Sequence, residues 1–221
     1  MIEIIATTIE DALEIEAGGA NRIELVSALT EGGLTPSYGL IKSVIHAVSI
    51  PVNVIIRPHS KSFTYTDREI KLMKEDIEIA KALGANGVVL GVLTEDKRVD
   101  VDKLEDLLSV CSGLDVTFHR AIDETDVIES VRVLAGYDAI TSILSSGGQA
   151  LAVGENTAKL KDMIVSAEKI EILIGGGVNF DNIKQILAQT QVKQLHLGMA
   201  VRANDVVDSQ KVREIVEIFN T

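Results

Sequence analysis

The chain has 221 residues, 46% of them apolar and 24% charged, and its 33 Asp plus Glu against 21 Lys plus Arg give a net charge of −12. That acidic balance, with no basic block, disfavours nucleic acid and anionic lipid as partners. A single Cys rules out an internal disulfide and any Cys-paired metal site within one chain. No apolar run approaches the roughly 18 residues that a membrane-spanning helix needs. The opening Met-Ile-Glu-Ile-Ile-Ala has no basic n-region and no signal-like apolar region, so a cytoplasmic protein is expected.

Eight short runs rich in Ile and Val read as strands: Ile2–Ala6, Arg22–Val26, Val52–Ile56, Gly87–Leu90, Asp115–Phe118, Ile140–Leu144, Glu171–Ile174 and Lys193–Leu197. They recur about every 27 residues, a spacing that fits a strand plus a crossover helix. The segments between them carry helix signals. Thr35-Pro36 reads as an N-cap followed by Pro at the first helical position. Thr66 to Glu69 reads as a capping box, followed by Ile70, Met73, Ile77 and Ala80 at helical spacing and by Gly84 as the stop. Asn179 or Asp181 is expected to cap a helix from Ile183, and Asp205 or Asp208 to open the last one. No linker or composition shift interrupts the order, so one domain over residues 1–221 is expected. Eight βα units in roughly 200–250 residues predict an α/β fold, a single (β/α)8 TIM barrel. The competing doubly wound sheet normally has five or six such units.

In such a barrel the chemistry sits at the C-terminal strand ends, and alternate side chains face the interior. That phase turns Glu3 and Ile5, Arg22 and Glu24, Asn53, Ile55 and Arg57, and Thr117 and His119 inward. Glu24, Arg57 and His119 then converge near the mouth, with Glu3 and Arg22 one layer lower, where they can pair. An interior salt-bridge network is one reason for such a ring. A site is the other, with Glu24 and His119 as acid and base and Arg57 as an anion clamp.

Three late strand ends are rich in glycine: Ser145-Ser146-Gly147-Gly148, Gly175-Gly176-Gly177 and Gly198. Backbone N–H groups exposed there suit an anion or phosphate, although a tight turn alone also takes glycine. Of the remaining histidines, His196 is expected inward on the eighth strand. His59 borders the mouth, and His46 lies on the bottom face in the last turn of the second helix.

At these residues the chain resembles the CutC family. The resemblance is carried by Glu31-Gly32-Gly33-Leu34-Thr35-Pro36-Ser37, by Ile56-Arg57-Pro58 with Phe63 and Tyr65, and by Val116-Thr117-Phe118-His119-Arg120-Ala121. The turns Ser145-Ser146-Gly147-Gly148 and Gly175-Gly176-Gly177-Val178 add to it. It implies a TIM barrel, a cytoplasmic location, a role tied to copper homeostasis with copper as a possible ligand, and self-association as a homodimer. Two segments depart from the family pattern: Arg57-Pro58-His59-Ser60-Lys61, where the family has a second arginine and a glycine turn, and Gly198, where it has a polar residue.

Cu(I) takes soft thiolate and thioether ligands. Cys111 is expected at the bottom end of the fourth helix, opposite the mouth, and Met199 near His196. A set of Glu24, His119 and His196 would suit Cu(II) or Zn(II). The alternative is an enzyme for a small anionic or phosphorylated metabolite, its anion held by Arg57, Ser145, Ser146, Gly147, Gly175, Gly176, Gly177 and Gly198. No lysine falls at an inward strand end, which disfavours Schiff-base chemistry. A barrel that only binds its ligand is a third reading.

Overall fold

The structure, a computed structural model, describes residues 1–148 and 153–221. Strands β1 (Ile2–Ala6), β2 (Arg22–Leu25), β3 (Val52–Ile55), β4 (Gly87–Leu90), β5 (Asp115–Phe118), β6 (Ile140–Ser145), β7 (Glu171–Ile174) and β8 (Gln194–Leu197) pair in parallel and in sequence order. β8 returns to β1, with Glu3 in register with both Arg22 and His196. The barrel is therefore closed, and each strand is followed by a helix: α1 (Ile9–Ala17), α2 (Tyr38–Ala47), α3 (Asp67–Ala82), α4 (Val101–Leu108), α5 (Val127–Leu134), α6 (Thr157–Ser166), α7 (Ile183–Thr190) and α8 (Ser209–Phe219). This is the expected TIM barrel, with strand limits within a residue of those read from the sequence.

The apolar core is the layer between strands and helices. Ile23, Leu25, Val52, Val54 and Ile56 lie there with Ile15, Val44, Met73 and Ile77 of the helices, all buried. Each such side chain stabilises the fold by about 1.5–3 kcal/mol. Inside the barrel Val26, Ile55 and Val89 form a small apolar cluster with Ile5 and Leu29 against it. Much of the rest of the interior is polar: Glu3, Arg22, Glu24, Asn53, Thr117, Ser142 and His196 are all buried.

The caps follow the sequence in most places. Thr66 and Glu69 form the capping box, and Gly84 follows α3 with φ +93°. Asp208 caps α8, accepting from the Gln210 and Lys211 amides. The cap of α2 is Ser37, whose Oγ accepts from the Leu40 amide at 3.3 Å, and not Thr35. Thr35 is taken up by the end of β3: its Oγ1 accepts from the Arg57 amide at 2.8 Å, and its own amide donates to the Arg57 carbonyl at 3.0 Å. Asn179 and Asp181 do not cap α7 directly. Asn179 Oδ1 closes a turn onto the amides of Asp181 and Asn182, and Asn182 stands at the N-cap.

After β8 the short hairpin β9 (Arg202–Ala203) and β10 (Val206–Val207) packs on α1. Asp11 holds it. One carboxylate oxygen lies 2.9 Å from Arg202 Nη2, and the other accepts from the Val207 amide at 3.1 Å. This buried pair ties the C-terminal segment to the first βα unit and so reinforces the seam where the barrel closes. No helix among the described residues is long and apolar enough to cross a membrane.

Candidate functional site

A cavity of about 480 Å³ opens at the C-terminal ends of the strands. Glu24 of β2, Arg57 after β3, His119 and Arg120 after β5, Gly176 and Gly177 after β7, and His196 of β8 all line it. The strand phase read from the sequence thus brings Glu24, Arg57, His119 and His196 to one chamber.

Glu24 and His196 belong to a chain of buried charges that rises from the barrel core. Arg22 Nε donates to Glu3 Oε2 at 2.5 Å, Glu3 Oε1 lies 2.8 Å from His196 Nδ1, and His196 Nε2 is 3.6 Å from Glu24 Oε2. Burial pushes the Glu3 carboxyl up, but the His196 hydrogen bond and the Arg22 charge outweigh it and hold Glu3 below the usual carboxylate range. Glu24 lacks such partners. Its burial, helped by the nearby Glu3 charge, pushes it up to about 7 against the pull of His196 and Arg22. Burial opposes a charge on His196, yet Glu24 and Glu3 together raise it above the ordinary histidine value. With Glu3 accepting at Nδ1, the other ring nitrogen of His196 is turned toward the Glu24 carboxyl.

His119 differs in state. Its Nδ1 accepts from the Ala121 amide at 3.2 Å, which assigns the ring proton to Nε2. Burial, with the Arg57 charge second, pushes its pKa down to about 3, so the ring is neutral at physiological pH. Phe63 packs against it, with ring centroids 4.9 Å apart. Gly91 leaves room for the ring, since a Cβ there would meet His119 Nδ1 at 2.5 Å. His119 is therefore a neutral N–H donor.

Arg57 is fixed by the loop after β2. Its Nη1 donates to the carbonyls of Glu31 at 2.8 Å and Gly33 at 3.0 Å, and its guanidinium carbon lies 4.9 Å from the Phe63 centroid. The Nε2 of His119 is buried with no hydrogen-bond partner among the described residues, while the Arg57 guanidinium stands beside the buried Tyr65 hydroxyl and opposes the rise that burial gives its pKa. A buried donor without a partner, on a residue that lines the cavity, is costly unless a ligand or water meets it.

The serine-glycine turn after β6 behaves differently from the sequence expectation. It is filled by the chain's own carboxylate, that of Asp123 in the 3-10 turn that follows His119. Asp123 accepts from Ser145 Oγ at 2.5 Å, from the Ser146 amide at 3.1 Å, from Ser146 Oγ at 2.8 Å and from the Gly148 amide at 3.3 Å. The Gly147 amide is taken by Ser145 Oγ, and the Gly175 amide by the Ser145 carbonyl. So Ser145, Ser146, Gly147 and Gly175 support the wall, while Gly176, Gly177 and Gly198 face the cavity. Gly176 has φ +85°, and a Cβ there would meet the Arg120 guanidinium carbon at 2.8 Å, so this arginine lies directly over the β7 turn.

His59 points away, 3.1 Å from Glu69 Oε1, and does not line the cavity. His46 is in the last turn of α2 as expected, its Nδ1 2.7 Å from the Lys42 carbonyl. Asp123, the placement of Arg120 and the Glu3–His196 bond were missed by sequence reasoning. The first two follow from a tertiary contact between two loops, and the third from barrel closure between the chain's two ends.

Copper fits these residues poorly. Among the described residues no group of three His, Cys, Asp or Glu side chains is arranged to hold a metal ion. Cys111 is buried beyond α4 at the far end of the barrel, its thiol donating to the Leu107 carbonyl and pushed up to about 11 by burial. His196 is engaged at Nδ1 by Glu3, and His119 Nδ1 is taken by Ala121. Met199 lines the cavity but is the one soft donor there among the described residues. A resident Cu(I) ion does not fit this donor set.

The fold and the mouth define a TIM-barrel protein with a charged chamber at its C-terminal strand ends. The family profile that matches residues 1–201 is that of CutC. The human copper homeostasis protein cutC homolog is 40% identical over 200 residues, covering 89% of this chain and 72% of its own. The CutC protein of Histophilus somni is 41% identical over 199 residues, covering 89% and 81%. The crystal structure of the Streptococcus agalactiae CutC, named for copper homeostasis, superposes with a TM-score of 0.85 at 35% identity, covering 91% of this chain and 99% of that one. The chain belongs to the CutC family.

Proposed function

We propose that this protein takes part in copper homeostasis, the role that the names of its relatives give to them, and that it does so in the cytoplasm by binding a small anionic ligand at the barrel mouth. Family membership supports the first part. The second rests on one observation above the others: His119 lines the cavity with a buried Nε2–H that no group among the described residues satisfies, and the Arg57 charge lines the same cavity close enough to act on that ring. An anion accepts from both, and the neutral His119 adds a hydrogen bond without a second fixed charge. The single buried cysteine agrees with a reducing compartment.

A second reading is favoured by the Glu3–His196–Glu24 chain. With Glu24 pushed up to about 7, this pair gives and takes a proton near neutral pH. In that reading the protein is an enzyme: the anion is held by Arg57 and His119 while Glu24 moves a proton on the bound molecule.

Complementation tests the proposal. A strain lacking its CutC gene is challenged with copper and supplied with wild-type protein, Arg57→Gln, His119→Ala or Cys111→Ser. Copper tolerance is expected from the wild type and Cys111→Ser, and not from the two mouth variants. Loss of tolerance with Cys111→Ser alone would place the function at the thiol and overturn the anion reading. Glu24→Gln is supplied in the same assay, and full tolerance with it would remove the enzyme reading and leave binding.

A further inference from the structure

We infer that the ligand carries two anionic groups, one held by Arg57 at the β3 edge of the mouth and the other by Arg120 at the β7 edge. This rests on the anion reading above and names the ligand class of the same chamber.

The ring of strands sets the geometry. Arg57 follows β3. Arg120 follows β5, but its guanidinium reaches past β6 to lie over Gly176 after β7. In an eight-stranded ring β3 and β7 are four strands apart, which places the two arginines at opposite edges of the opening. His119, after β5, follows on from Arg57, both packed against Phe63, and Glu24 of β2 and His196 of β8 close the other side.

Arg120 is half exposed, but two side chains hold its guanidinium in place. Its Nε donates to Asp123 Oδ2 at 2.8 Å and its Nη2 to Ser146 Oγ at 3.2 Å. Asp123 in turn is locked by Ser145, Ser146 and Gly148. Arginine has five N–H donors in a fixed fork, so the remaining ones stay available beside a turn that brings Gly176 and Gly177 to the cavity. Gly176 matters here because any side chain would displace the guanidinium. Asp123 is thus a positioning residue for Arg120, and Arg120 a ligand-binding one. A molecule with a single anionic group satisfies one pole and leaves the other hydrated.

Calorimetric titration of the full chain with acetate and with the series malonate, succinate, glutarate and adipate tests this. One dicarboxylate of matching length is expected to bind about tenfold or more tighter than acetate, since a second charge-assisted contact is gained. Arg120→Gln and Arg57→Gln should each reduce that ratio to near one. Asp123→Asn should reduce it in part at unchanged acetate affinity, which a merely structural loss would not do; thermal unfolding of each variant checks that it is folded. If the wild type binds acetate and every dicarboxylate alike, or if Arg120→Gln keeps the ratio, the two-pole ligand is wrong and the anion site stands. If the wild type binds neither class, the anion reading itself falls and this inference with it.

Discussion

His196 stands between two carboxylates, its Nδ1 2.8 Å from Glu3 Oε1 and its Nε2 3.6 Å from Glu24 Oε2. The two carboxylates are unlike. Glu3 also holds Arg22 and stays ionised, whereas Glu24 is pushed up to about 7 by burial. One imidazole therefore links a permanent charge in the barrel core to a titrating group at the mouth.

Removing the permanent charge is expected to be expensive. Glu3→Gln leaves Arg22 buried without its counter-ion and should cost about 3–5 kcal/mol in denaturant unfolding. A loss below about 1 kcal/mol would mean that water or rearrangement replaces the pair.

Glu24 sets a pH dependence of stability. Its folded pKa is raised from 4.5 to about 7, so between those values the folded state holds a proton that the unfolded chain has released. Stability from this group is complete below about pH 4.5 and is lost as pH rises through 7. The raised pKa of His196 acts in the same direction. Glu24→Gln should make the fall in stability between about pH 4.5 and 7 shallower; an unchanged slope would show that Glu24 does not titrate there.

His119 has the opposite sign. Its pKa is lowered to about 3, so below pH 6.5 the unfolded chain takes a proton that the folded ring refuses, and stability drops as pH falls from 6.5 toward 3. Nitrogen-15 NMR of the imidazoles should show His119 neutral, protonated at Nε2, down to at least pH 5, while His196 is largely protonated at pH 6. A protonated His119 at pH 6 would contradict the neutral donor role.

Asp123 carries the wall between β5 and β7. Asp123→Ala strands the donors of Ser145, Ser146 and Gly148 and should destabilise the fold by about 3 kcal/mol or more, measured by chemical unfolding. Asp123→Asn keeps an acceptor and should cost less.

Much of this structure was legible in the sequence because it is periodic. Runs of β-branched residues marked the strands, and the two-residue alternation turned Glu24, Arg57, His119 and His196 to one interior. Thr35 misled because its hydroxyl is claimed by Arg57, which is distant in sequence. The Ser145–Gly148 turn misled for a similar reason. Its composition suits an anion, and it does bind one, but the anion is Asp123. No local pattern reports which loop will supply the partner. The bond between Glu3 and His196 depends on closing the barrel from its two ends.

The most direct measurement is a 1H–15N NMR titration of the protein with inorganic phosphate. Saturable shifts should cluster at the amides and side-chain N–H groups of Arg57, His119, Arg120, Gly176 and Gly177, and those at Arg57 and His119 should vanish in Arg57→Gln. No saturable shift, or shifts gathered around Cys111 at the opposite end of the barrel, would contradict an anion site at the mouth.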